Sequence, residues 1–291
     1  NVLETGARYL YEKADEQFIV GSNANTAEGT LRDKEVRTGY AFSAYAQNRF
    51  DLTEKLSLNA GLRLENFDYE REILRGRYRI NGVNNVIRDT SIIAKDNTMA
   101  LIPGAGINYS ANDRINLFAG IHKGFAPPRI KDAITATGVP YNLDAELSTN
   151  YELGTRIKFN DYFNAELTGF ILDFKNQIIP VSNSSGNSNA SGVVNGGQTL
   201  HRGIEAGFQI DLGKMAGLKN SYTFESSITV QGSEYSNDRF ISVNGSTVNV
   251  KENKLPYAAN LMIWNAAGIN LHNGFGFRVS GNYIGSQFTD E

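Results

Sequence analysis

Arg75, Arg77 and Arg79 recur at a spacing of two in a segment that also carries Arg71, Arg88 and Lys95. Glu72, Asp89 and Asp96 oppose them, leaving a local excess of positive charge in a chain whose formal net charge is −3. A guanidinium fork pairs with a carboxylate or phosphate through two parallel hydrogen bonds. On an extended backbone, alternate residues share a face, so the three forks can present one anion-binding surface. With Arg88 and Arg129 they are the candidate ligand contacts; Arg32 and Arg37 are weaker ones. The same run would also serve as a solvated loop face or pair with lipid A phosphates.

Other chemistry is sparse. His122, His201 and His272 stand apart from any nucleophile or second histidine at metal-ligand spacing. Gly104-Ala105-Gly106 lacks the third glycine of a dinucleotide loop. A cysteine count of 0 removes disulfides, thiolate metal sites and cysteine nucleophiles together. No catalytic residue, resident metal or cofactor is therefore expected, and the chain does not read as an enzyme. An isoelectric point near 5.8 provides no global positive field for nucleic acid.

The elements that must carry these residues have a period of two. Between Leu56 and Glu65, apolar Leu56, Leu58, Ala60, Leu62 and Leu64 alternate with Ser57, Asn59, Gly61, Arg63 and Glu65. The pattern returns at 202–212 and 220–231. Weaker versions at 2–12, 38–50, 97–109, 115–122, 150–159, 162–175, 257–271 and 275–287 complete eleven expected strands. Most reach the roughly 9 to 11 residues that a tilted strand needs to cross the hydrocarbon layer. No run approaches the roughly 18 to 20 apolar residues of a spanning helix.

Short turns at 53–55, 111–114, 160–161, 213–217 and 272–274 alternate with long links near 17–37, 71–96, 123–146, 181–196 and 234–255. That sorting fits a barrel with short periplasmic turns and long extracellular loops. A soluble sandwich has no reason to sort its loops so, and no fixed solenoid repeat is visible. The expected fold is all-β, an antiparallel transmembrane β-barrel. Arg63, Glu65, Glu152, Arg156, Glu205 and Glu225 should face its lumen, while Phe50, Tyr109, Phe159, Tyr162, Phe163 and Tyr283 fit interfacial girdles. The Ser/Asn/Gly-rich 181–196 loop should be mobile.

An odd strand count leaves two edges that lipid cannot satisfy. Residues 1–291 are thus expected to be an internal portion of a larger barrel, with any secretion signal outside them.

Particular motifs add a family. Leu101 to Tyr109 followed by His122-Lys123-Gly124-Phe125-Ala126-Pro127-Pro128 resembles a consecutive strand pair of TonB-dependent outer-membrane receptors. Leu143-Asp144-Ala145-Glu146-Leu147-Ser148-Thr149-Asn150-Tyr151-Glu152-Leu153-Gly154 is similar to their Leu-x-Pro-Glu-x-Ser-x-x-x-Glu-x-Gly motif, with Ala145 in place of proline. His201-Arg202-Gly203-Ile204-Glu205 resembles the family's Arg-Gly-hydrophobic-Glu strand opening, and Tyr283 to Asp290 resembles a late strand of its ferric dicitrate type, the branch to which the chain is most similar.

The resemblance implies about half of a barrel of roughly 22 strands, without the plug domain and TonB-contacting segment that precede it in the family. It also implies a bacterial outer-membrane location and import of a ferric chelate such as ferric citrate or a siderophore. TonB, reached through the absent N-terminal segment, and outer-membrane lipid with lipopolysaccharide are the other implied partners. A passive porin, or uptake of cobalamin or a glycan, is the alternative.

Overall fold

The computed structural model describes residues 1–21, 23 and 28–289. Eleven strands form one antiparallel sheet in which every neighbour in the sheet is the next strand of the sheet along the chain. They are β1 (Val2–Gly21), β2 (Gly29–Asp51), β3 (Leu56–Ile80), β4 (Val83–Asn112), β5 (Ile115–Ala126), β6 (Glu146–Asn160), β7 (Phe163–Pro180), β8 (Val193–Asp211), β9 (Ser221–Tyr235), β12 (Leu261–Asn270) and β13 (Gly276–Ile284). A separate hairpin, β10 (Phe240–Val243) with β11 (Ser246–Asn249), stands in the link before β12. Three short helices, α1 (Ile130–Ala133), α2 (Val181–Ser185) and α3 (Leu212–Met215), lie in connections. Among the described residues no helix is long and apolar enough to cross a membrane, so any crossing is made by strands.

Register shows that the alternation holds from strand to strand. Leu58 pairs with Ile107, and Ala60 with Ala105, which pairs in turn with Ile121. Leu153 pairs with Gly169, Gly169 with Ile204, and Ile204 with Val230. Directly opposed residues share a face, so these rows make one continuous apolar outside. Leu153 and Ile204 keep 68% and 56% of their surface open there, exposure that only an apolar surrounding favours. The other parity carries Arg63, Glu65, Glu152, Arg156, Glu205 and Glu225 on the inner face. Pairs there are mutual, as in Arg156 with Glu166 at 3.0 Å and Arg278 with Glu225 at 2.8 Å.

The lower rim of the apolar face is aromatic. Phe159, Phe163, Phe208 and Phe224 follow one another across β6 to β9, with ring centroids 5.6, 6.3 and 5.8 Å apart. Phe159 and Phe163 are two of the aromatics expected in a girdle from their places near strand ends, and Phe208 and Phe224 continue their row.

Each short turn beneath it is closed by one side-chain oxygen, the local chemistry that makes Asn, Asp and Thr turn residues. Thr53 accepts from the amides of Lys55 and Leu56, Asn112 from Arg114 and Ile115, Asn160 from Tyr162 and Phe163, and Asn273 from Phe275.

At the fifth turn Asp211 caps α3 through the Lys214 amide, and also accepts from the Tyr222 amide and the Ser221 hydroxyl. Burial raises its carboxyl, but these hydrogen bonds together outweigh burial and hold it below the ordinary carboxylate range. A depressed folded-state value stabilises above the unfolded value and is lost as pH falls through the folded one. Asp211→Ala is therefore expected to destabilise by about 1–2 kcal/mol at neutral pH. The gap from wild type should close in acid below about pH 4, as urea unfolding of both proteins at several pH values would measure.

The long links differ from expectation. Most of 17–37 and 71–96 is strand, because β1 to β4 run on as two tall hairpins beyond the apolar band. Asn81 and Gly82 close the second with φ of 50° and 82°, the left-handed pair of a type I′ turn. Asn244 and Gly245, at 51° and 81°, do the same for β10 and β11. The 181–196 segment, expected to be loose, contains α2 and the start of β8. Gly186, at φ 73°, ends α2 and lies beneath Phe240 and Thr247.

Candidate ligand-binding site

The only compact apolar cluster sits inside the two tall hairpins, among the described residues. Tyr69, Ala94, Ala133 and Ile134 form it, with Phe67 and Ile130 against them. Ala133 and Ile134 belong to the β5–β6 connection, which therefore turns inward and rests on the inner face of β3 and β4. Thr98 donates to the Leu143 carbonyl at 3.1 Å, holding the return limb of the same connection. Phe125, from the His122 to Pro128 motif, places its ring 5.6 Å from Phe67, so that motif starts the turn inward. Asn195 fastens the far side, exchanging hydrogen bonds with Asp144 and donating to the Asn176 carbonyl.

A chain of charges surrounds the cluster. Arg71 is buried, and it donates through two nitrogens to one oxygen of Glu35 and through Nη1 to the Ile134 carbonyl. Glu35 turns its other oxygen to Arg37 at 2.7 Å. Arg37 continues to Glu16, which also meets Lys131 at 3.1 Å. Burial and the nearby Arg71 guanidinium both draw Arg37 down from its ordinary value. The inward connection is thus tied at Lys131 and Ile134 to three successive strands.

Above this network is a cavity of about 380 Å³ lined by Arg32, Arg71, Arg75, Arg77 and Lys131 against Glu16, Asp33 and Glu35. Five cations to three carboxylates leave it electropositive. Arg75 donates to the Leu31 carbonyl and to Asp89 at 2.6 Å, while Arg77 stands 3.8 Å from Asp33. Arg32 pairs with Asp33 and stacks over Phe18 at 3.7 Å. Such a surface can take up an anion by exchanging internal carboxylates for external ones.

Of the five candidate arginines, the structure brings Arg75 and Arg77 into this cavity. Arg79 is exposed on the strand end beyond it. Arg88 pairs across from Gly76 and covers the Tyr78 ring at 4.8 Å, on the opposite face from Arg75 and Arg77. Arg129 precedes α1, fully outside, paired with Asp132 at 2.7 Å. Sequence reasoning missed Glu35, Glu16 and Lys131 as members. Arg71 was legible, since it shares the parity of Arg75 and Arg77. Among the described residues no group of three His, Asp or Glu is placed to hold a metal.

An antiparallel meander with an apolar outer face, a polar inner face and an electropositive vestibule over tall hairpins is the architecture of an outer-membrane receptor barrel. The chain matches the family described as TonB dependent receptor-like, beta-barrel, over residues 1–291, and it belongs to that family. Membership places it in the bacterial outer membrane and in a family of transport receptors.

Among solved structures it is similar to the ferric yersiniabactin uptake receptor FyuA from Yersinia pestis, with a TM-score of 0.68 and 16% identity over 99% of this chain and 40% of that one. The siderophore receptor PiuA from Acinetobacter baumannii gives 0.64 and 16% over 96% and 46%. The unliganded ferric citrate transporter FecA gives 0.64 and 18% over 96% and 43%. At these identities the likeness is one of fold. The chain spans less than half the length of each of these receptors.

Proposed function

We propose that the chain is an internal portion of a barrel of roughly 22 strands, in a receptor that takes up a ferric chelate, ferric citrate or another siderophore, through TonB. The observation that carries this reading is the convergence of Arg71, Arg75, Arg77, Arg32 and Lys131 on one lumen-side cavity at the extracellular end. Carboxylate and catecholate chelates of iron are anionic, and paired guanidinium forks match their oxygen edges. The inward β5–β6 connection shapes the floor on which such a ligand rests. The dicitrate assignment in particular rests on the stretch at 283–290, and the neighbours named for siderophores and ferric citrate support the wider class.

The test is binding of ferric citrate by the full-length receptor, measured by isothermal titration. Arg75→Ala with Arg77→Ala should weaken binding at least tenfold, roughly the effect of losing one charge-assisted hydrogen bond. Arg79→Ala, Arg88→Ala and Arg129→Ala should each change it by less than about threefold, the scale of an exposed charge. Unchanged affinity in the double variant would remove the cavity from ligand binding. Saturable uptake of an uncharged ligand in its place would displace the ferric chelate.

A further inference from the structure

On the outward face, Tyr151, Ile171, Arg202 and Gly232 lie in one row across β6 to β9, each paired directly with the next. The row below it is Leu153, Gly169, Ile204 and Val230. Gly169 leaves a notch there. A Cβ added to it would meet only the Leu153 carbonyl, at 3.9 Å, and one added to Gly232 would meet nothing within 4 Å.

The notch opens into an apolar groove of about 1290 Å³ that runs past Leu117, Leu153, Leu167 and Ile204 and ends at Arg202. Leu153 and Ile204 flank it two strand spacings apart, roughly 9–10 Å, which is wide enough for an extended hydrocarbon chain. Family membership puts lipid against this surface.

Arg202 is the one cation in the lining. It stands nine residues above Asp211 at the foot of β8. At roughly 3.3 Å per residue and a tilt near 40°, that is about 23 Å above the periplasmic turn, the upper limit of the apolar band. Its side chain is 61% exposed and reaches Glu234 through Nη2 alone, at 3.3 Å, so its other N–H groups can meet a headgroup. Tyr151 stands beside it in the same row.

We infer that this groove is a binding site for one phosphorylated acyl lipid of the outer leaflet, with a chain in the notch over Gly169 and a phosphate on Arg202. The site is separate from the vestibule on the inner face and is independent of which ligand the receptor imports. A fixed lipid differs from the general annulus in needing both the notch and the cation.

The test uses full-length receptor in detergent, stripped of lipid and titrated with hexa-acylated lipid A or with its dephosphorylated form, counting bound lipids by native mass spectrometry. Wild type should retain one lipid A. R202Q should bind it about tenfold more weakly, the scale of a lost charge-assisted contact, and should no longer distinguish the dephosphorylated form. G169F, whose Cβ meets only the Leu153 carbonyl at 3.9 Å and whose ring occupies the notch, should lose both lipids. A267F, on the outward face of β12 away from the groove, should bind as wild type. Equal retention by wild type, R202Q and G169F would overturn the assignment, as would an equal loss in A267F.

Discussion

Arg71→Met should release the β5–β6 connection from the barrel wall while leaving the sheet folded. The substitution keeps most of the buried volume but removes every donor that Glu35 and the Ile134 carbonyl share. Glu35 keeps Arg37 at 2.7 Å, but it loses its buried partner and the Ile134 carbonyl loses its donor, which together cost about 3 kcal/mol, the low end for breaking a buried pair. The loss falls on the segment that Arg71 fastens, because α1 otherwise reaches the wall through Lys131 and Glu16 and through the small cluster around Tyr69. Trypsin sites after Arg129 and Lys131 should then be cut at least about a hundredfold faster, as expected for 3 kcal/mol of lost protection when opening precedes cleavage. Arg71→Lys keeps the charge but not the fork and should fall between. Under the proposed function, ferric citrate binding should fall along with the protection, whereas cleavage at the wild-type rate in Arg71→Met would show that the connection is held by other means.

Ala206→Arg should be the most damaging change on the outward face. Ala206 pairs with Leu167 on one side and Ile228 on the other, five residues above Asp211. That is about 13 Å up a band of roughly 25 Å, close to the bilayer midplane. An arginine there costs about 2–4 kcal/mol. Gln209→Arg, three residues along and on the inner face, lies opposite Glu225 and should be nearly neutral. Reversible urea unfolding of the receptor in vesicles compares the two directly. Similar costs at both positions would mean that the two faces do not differ in solvent.

The strands that cross the bilayer could be read because their side chains answer to two different solvents. Leu56 to Glu65 and Gly203 to Asp211 alternate without relief and lie in β3 and β8, while Leu212, expected at the end of the second strand, opens α3 instead. The alternation fades above the bilayer, where the inner face of β3 and β4 carries Tyr69, Ile73 and Ala94 beside arginines, and so the run from Arg71 to Asp96 read as a loop. Asn81-Gly82 was the signal that it is a hairpin, a two-residue turn between extended arms.

The vestibule was half legible. Arg75 and Arg77 follow from spacing alone, whereas Arg88 has a neighbour's charge but the wrong face, which only the β3–β4 register reveals. Glu35 meets Arg71 across 36 residues, and Lys131 meets Glu16 from the distant β5–β6 connection; no local pattern encodes a contact made by a connection folding back inward. Asp144 and Asn195 are a similar case: the bond they make turns a Ser/Asn-rich stretch into part of the wall.

The central claim is that alternate residues of each strand face hydrocarbon and the others face water. These 291 residues hold 0 cysteines, so single cysteines are placed at each position from Gly203 to Asp211 in the full-length receptor, any cysteine elsewhere being replaced first, and spin-labelled in bilayers. Collision with oxygen, concentrated in lipid, should peak at 204, 206, 208 and 210, and collision with a water-soluble nickel complex at the positions between. A profile without a period of two would contradict the barrel assignment and everything built on it.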